Sequence, residues 1–466
     1  MTRSTAISQA RQFLFNGRFE SDLRRRVAIR SVSQDPALRS ELLRYHQEIL
    51  QSIEPLGFAG AVYDNPHPEG GPILIAKYIE DPALPTLLCY GHGDVVPGLD
   101  HLWTAPLTPW ELREDGERIY GRGTADNKGQ HTMVLLALES VKAARGGRLG
   151  YNVTLLMDVG EEVGSAGLLD FCRAHQEALR ADLLISSDGP RVNKDQPSVA
   201  LGTRGVFNFD LICDLRASGH HSGNWGGLIA NPAILLAHAL ADLVERNGRI
   251  AARGVLPPEV PGSVRRALQT VAIDAGPQGP QIDGWWGEPG LTPEERSFGW
   301  NALEVLTLSC GVQGKPVNAV PPRAVAHCQI RYTVDRDATE FLPALQQHLA
   351  ERGHQHIEVR AAHERGEMFP TRLDPDHPAA VWVSDSIQRT LGKPAALIPN
   401  AGGSLPNDCF ADLLGLPTLW VTHSYPACGQ HAGNEHLLKP LVDEGLQVMA
   451  GLFWDLPDYF AARAAA

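Results

Sequence analysis

The chain has no excess of positive charge: 41 Lys and Arg stand against 54 Asp and Glu, a formal net charge of −13. Phosphate binding wants a basic face, so this balance argues against a nucleic-acid partner. Cysteine is sparse. The seven thiols are odd in number and none has a CxxC partner, which argues against a zinc ribbon and a complete disulfide framework. Reduced thiols in a cytoplasmic protein are expected. Long apolar runs are missing as well. The N-terminal residues Met1 to Ser8 hold no apolar leader core, and no stretch reaches the length of about 20 apolar residues that spans a bilayer. Neither a signal peptide nor contact with a membrane is expected, and no internal repeat or low-complexity tract interrupts the chain.

What is present is a globular chain of 466 residues, 43% hydrophobic and 20% charged, long enough for two domains. Apolar spacing predicts a helix within 35–53. Short apolar runs follow at 73–79, 86–90, 153–157 and 183–186, and helical patterns at 129–144 and 166–178 separate the later ones. Strands alternating with helices imply an α/β fold with a mostly parallel sheet. The texture changes after about residue 197. Segments 206–215 and 327–334 alternate like strands, 232–245 reads as a helix, and 251–300, rich in Gly, Pro and Trp, matches no pattern. Signals of the first kind return at 379–390 and 416–422. The expected organisation is a catalytic domain split between 1–197 and 369–466, with a smaller α+β domain inserted at 198–368.

Five motifs carry the chemistry: Gly91-His92-Gly93-Asp94, Gly121-Arg122-Gly123-Thr124-Ala125-Asp126-Asn127, Glu161-Glu162-Val163-Gly164, Ser187-Asp188-Gly189-Pro190 and His431-Ala432-Gly433-Asn434-Glu435. Two imidazoles and four carboxylates form a ligand set for a borderline divalent metal. Three of the motifs directly follow predicted strands, where sites of open α/β sheets form. Each signal has a plainer explanation alone: a surface His-x-Asp turn, an N-capping Asp126, a solvated Glu161–Glu162 pair, an Asp-Gly turn, a surface His431. Their combination, in order and mostly at strand ends, favours a metal site. His92 is then a ligand, and Asp94, two residues on, can hold its second ring nitrogen. Asp126 is the best candidate for a carboxylate shared between two ions. Glu161 and Glu162 point in different directions, so one can bind metal while the other handles a proton.

The strings GHGDVVPG, GRGTADNKG, DVGEEVGS, SSDGP and QHAGNEH resemble those of the di-zinc aminoacylase, carboxypeptidase and dipeptidase family, which includes carnosinases and acetylornithine deacetylase. The resemblance covers essentially the whole chain. It implies two divalent ions, zinc first with manganese or cobalt possible, sharing Asp126. One is also held by His92 and Asp188, the other by Glu162 and His431. It implies Glu161 as general base and then acid, and a cis bond after Asp126. His221 is implied to reach the partner subunit's site in a homodimer and to stabilise the developing oxyanion. Asn318 matches a substrate contact, and Arg331 matches an arginine that grips a substrate carboxylate. Gly402-Gly403-Ser404-Leu405-Pro406 resembles a carnosinase loop whose backbone and serine, here Gly403 and Ser404, meet the same carboxylate. The expected activity is cleavage of a small carboxylate-bearing peptide by a dipeptidase or carboxypeptidase-like enzyme. Two alternatives stand beside it: an N-acyl or N-carbamoyl amino acid amidohydrolase, and a silent metal-binding protein on the same scaffold. The first is separated by whether a free dipeptide is accepted. The second is disfavoured because Glu161 accompanies every metal candidate.

Overall fold

The computed structural model describes residues 1–274, 276, 279–312, 314–362, 368–403 and 405–465. Its main sheet has eight strands in the order Ala59–Tyr63, Ile73–Tyr78, Asn152–Asp158, Thr86–His92, Leu183–Ser186, Thr418–Thr422, Ser198–Ala200, Ala396–Ile398. The central strands 152–158, 86–92, 183–186 and 418–422 run parallel to one another. Strand Ile73–Tyr78 pairs antiparallel with both neighbours. Its apolar run looked like the others because direction leaves no mark on a strand that is buried on both faces.

Those runs are continuous because both faces are covered. Leu87 and Cys89 enter one core, with helices Arg3–Phe15, Lys128–Ala144 and Lys439–Ala465. Leu88 and Tyr90 enter the other, with helix Leu168–Ala174 and residues of a second sheet. Helix Lys128–Ala144 is buried along nearly its whole length, its polar residues Gln130, His131 and Thr132 included. The helix expected over 166–178 is two pieces, Leu168–Ala174 and Gln176–Leu179. It breaks at His175, where φ is −114° and the ring packs on Phe171.

The second sheet is antiparallel, in the order Ala302–Cys310, Arg323–Tyr332, Gly205–Asp214, Glu358–Ala361. Helices Pro232–Leu243 and Phe341–Glu351 pack on it. Strand Ser198–Ala200, which the sequence placed at the start of the insert, is bonded into the main sheet, so the change of sheet falls between residues 200 and 205. The unassigned segment 251–300 contains helices Gly262–Leu268 and Pro293–Phe298, the latter opened by a Thr292–Glu295 capping box. No helix among the described residues is long and apolar enough to cross a membrane.

Candidate metal centre

The parallel strands deliver their carboxyl ends to one place. His92 is the last residue of strand Thr86–His92 and is fully buried. Its Nε2 lies 3.0 Å from Asp126 Oδ1 and 3.5 Å from Asp188 Oδ2. Asp188 follows strand Leu183–Ser186. On the other side of Asp126, its Oδ2 lies 3.2 Å from His431 Nε2, which is 2.9 Å from Glu162 Oε2. Two potential ligand groups result, His92–Asp126–Asp188 and Asp126–Glu162–His431, with the ligand atoms of each lying within 4.8 Å of one another. Asp126 belongs to both. Its peptide bond to Asn127 is cis.

Asp94 does more than accompany His92. Its Oδ1 is 3.4 Å from His92 Nδ1. Its two oxygens also accept hydrogen bonds from the backbone amides of Glu161 (3.2 Å) and Glu162 (3.1 Å). One buried carboxylate therefore orients an imidazole and fixes the turn that carries both glutamates. That turn closes at Gly164, whose φ of +86° suits glycine. Glu161 Oε2 stands 3.9 Å from His92 Nε2, at the edge of the cluster.

The electrostatics call for a cation. Burial pushes Asp188 up to about 7, reinforced by Asp126. Burial raises Glu161 well above the carboxylate range, reinforced by Asp188, Asp126 and Asp94. Burial acts to lower His92, yet its bonds to Asp126 and Asp94 hold it well above the usual imidazole value. Hydrogen bonds to Asp126 and Glu162 raise His431 to about 10. Asp188 Oδ2 is buried with no hydrogen-bond partner among the described residues. Crowded carboxylates and an orphaned oxygen fit a site built for divalent ions.

Glu435, in the last of the five motifs, has a part that its local sequence does not reveal. It is buried, and it accepts from Arg122 Nη1 (2.8 Å) and from the amides of Gly123 (2.9 Å), Ala125 (2.9 Å) and Asp126 (3.1 Å). It thus shapes the loop that presents Asp126. Asn127 donates to Ser187 O at 2.7 Å and meets His131, which is bonded to Tyr45. Gln430 donates to Asp126 Oδ2 at 3.1 Å. Their acidic and amide side chains inside the five strings are the signal the sequence holds for Glu435, Asn127 and Gln430.

A cavity of about 530 Å³ opens from the cluster, lined at one end by Asp126, Glu161, Asp188 and His431, and further on by Gly402, Gly403 and Leu405. Ser404 lies outside the described residues. His221 and Asn318 are neighbours of each other: His221 pairs with Ala319, and Ser222 N donates to Asn318 O at 2.9 Å. Both are exposed, and neither lines this cavity. Arg331, half-buried on strand Arg323–Tyr332, donates to Gln329 Oε1 at 3.0 Å and is likewise not in the lining.

The sequence profile of peptidase family M20/M25/M40 matches residues 88–455. A Cys-Gly metallodipeptidase of Candida albicans is 25% identical, with 93% of each chain covered. A beta-Ala-His dipeptidase of Rattus norvegicus is 30% identical over 52% of this chain and 51% of its own. The fold is that of a di-peptidase structure from Saccharomyces cerevisiae, with TM-score 0.77 and 20% identity, covering 98% of this chain and 99% of that one.

Proposed function

The chain belongs to peptidase family M20/M25/M40, and on that premise we propose that it is a metal-dependent dipeptidase acting on small peptides with a free carboxylate. The observation that carries the reading is the shared carboxylate, with Asp126 offering one oxygen to the His92–Asp188 group and the other to the Glu162–His431 group. We assign two divalent ions to these groups, zinc first, with manganese and cobalt compatible with the same donors. Such ions, when bound, polarise a carbonyl and make water a stronger nucleophile. Glu161 takes the proton of the attacking water and returns it to the amine nitrogen as the C–N bond breaks. A buried carboxylate whose proton affinity is raised suits both halves of that task. Asp94 is a positioning residue for His92 and for Glu161.

Gly403 and Ser404, with Arg331 and Asn318, are assigned to the substrate's carboxylate side. His221 is assigned to the oxyanion, reaching the site of a second copy of the chain. Its exposure, and its absence from its own chain's cavity lining, support that assignment. The second sheet supports a homodimer: its edge strand Ala302–Cys310 exposes Val305, Leu306 and Leu308, an unprotected apolar edge of the kind a partner covers. We assign this inserted sheet and its helices as the lid and dimerisation domain. A cytoplasmic location fits the seven free cysteines.

Turnover of the zinc-, manganese- and cobalt-loaded protein on paired dipeptides and N-acyl or N-carbamoyl amino acids tests the reading. Cleavage of free dipeptides, abolished by a chelator, is expected. Cleavage of blocked amino acids alone would place the enzyme among the deacylases instead.

A further inference from the structure

Away from the ligand cluster the cavity turns apolar. Its far wall is Val192, Ala200, Phe298, Ile398, Ala401 and Leu405. Phe298 comes from the 251–300 segment that no motif explains. Helix Pro293–Phe298 packs on helix Gly262–Leu268, which lies against strand Ala396–Ile398 of the main sheet. That stacking sets a side chain of the insert beside Ile398.

The polar groups at this end are already committed. Ser198 Oγ donates to Gln196 O at 3.2 Å, and Thr422 Oγ1 donates to Ser198 O at 3.3 Å. Arg191 is fully buried, 2.6 Å from Glu444 Oε1, and its Nε donates to Thr422 O at 3.2 Å. A charged side chain entering here would lose its hydration and find its counter-charge already paired. An apolar one gains about 25 cal/mol for each Å² removed from water.

Orientation follows from the glycines. A Cβ on Gly403 would meet nothing within 4 Å, so the backbone leaves that wall open. With the substrate's carboxylate seated at Gly403, the side chain of the residue that bears it faces Ala401 and Leu405, the apolar lining residues that flank this loop in the chain.

We propose that this wall, with Phe298 as its insert-borne member, selects a large aliphatic or aromatic side chain on the carboxyl-terminal residue of the substrate. The inference rests on the dipeptidase reading and narrows it. It sets the chain apart from relatives named for Cys-Gly and beta-Ala-His, which carry glycine or histidine at that position.

The experiment is kcat/KM of the metal-loaded protein on Ala-Gly, Ala-Leu, Ala-Phe, Ala-Asp and Ala-Lys. Ala-Leu and Ala-Phe are expected to exceed Ala-Gly by about tenfold or more, the scale of discrimination one or two methylenes supply, with the charged peptides slowest. Phe298→Ala should lower kcat/KM for Ala-Leu about tenfold more than for Ala-Gly. Leu405→Arg, which leaves the insert untouched, should raise Ala-Asp relative to Ala-Leu. Equal rates across the panel, or a preference for glycine or a charged residue, would overturn the inference and leave the dipeptidase standing. Failure to cleave any peptide, with metals bound, would sink both.

Discussion

Removing the Glu435 carboxylate should damage the protein far from any direct contact with substrate. Glu435 and Arg122 are each only 1% exposed, and Glu435 accepts four hydrogen bonds, one from Arg122 and three from backbone amides. Burial pushes the Glu435 pKa up despite the guanidinium beside it. The pair therefore adds little net stability, and the cost arises when one partner is stranded. Breaking a buried pair costs about 3–5 kcal/mol, a large part of a typical folding free energy of about 5–15 kcal/mol. Glu435→Ala should lose at least about 3 kcal/mol in urea unfolding of the metal-free protein. Because Asp126 N is among the orphaned donors, metal affinity measured by competition should fall roughly 10–100-fold, as for other residues that orient ligands. Glu435→Gln keeps an acceptor for the amides and isolates the charge. Adding Arg122→Met to it should recover most of the loss, since no stranded guanidinium remains. A change below about 1 kcal/mol in Glu435→Ala, with metal affinity intact, would refute the reasoning.

Four further outcomes are expected. Glu161→Gln should bind metals normally and lose about 10²–10⁴-fold in kcat; full activity would remove Glu161 from the proton-transfer role. Asp94→Asn, which weakens the hold on both His92 and the glutamate turn, should reduce metal affinity about 10–100-fold, read by chelator competition. Saturating metal should raise unfolding free energy by about 2.7 kcal/mol at a concentration 100 times Kd; a melting temperature indifferent to chelator would contradict a resident metal. Burial pushes His423 down to about 3, against about 6.5 when unfolded. The folded state binds fewer protons, so stability is whole above pH 6.5 and falls as pH drops toward 3. Relative to His423→Leu, the native chain should lose about 2 kcal/mol between pH 6.5 and 5, and parallel pH profiles for the two would count against it.

The residues of the candidate cluster were legible because strand ends are. His92 and Asp188 terminate or directly follow fully buried runs, and run length shows in sequence. Glu435 was not readable as a clamp, since its partners sit about 310 positions away and a long-range hydrogen bond leaves no local period. Phe298 was hidden for another reason. Its helix has 6 residues and the one beneath it 7, too short for a 3.6-residue pattern to emerge. Strand Ser198–Ala200 has three residues and its membership in the main sheet is decided by neighbours from the far end of the chain. The antiparallel direction of Ile73–Tyr78 is a property of pairing, which a single strand's residues do not encode.

The loop that carries Asp126 takes its shape from Glu435, and the helix that begins at Lys128 is enclosed by helix Lys439–Ala465. During synthesis, then, the ribosome makes His92, both glutamates and Asp188 well before the pieces that hold them. The interval from Asp188 to His431 is 243 residues (431 − 188), about 10–50 s at the usual rates of elongation. Through that time the nascent chain carries most of the candidate cluster and none of its closure. Its capacity to cut amides arrives last, after the whole insert has been made, so a half-built copy of this hydrolase is chemically quiet toward its surroundings.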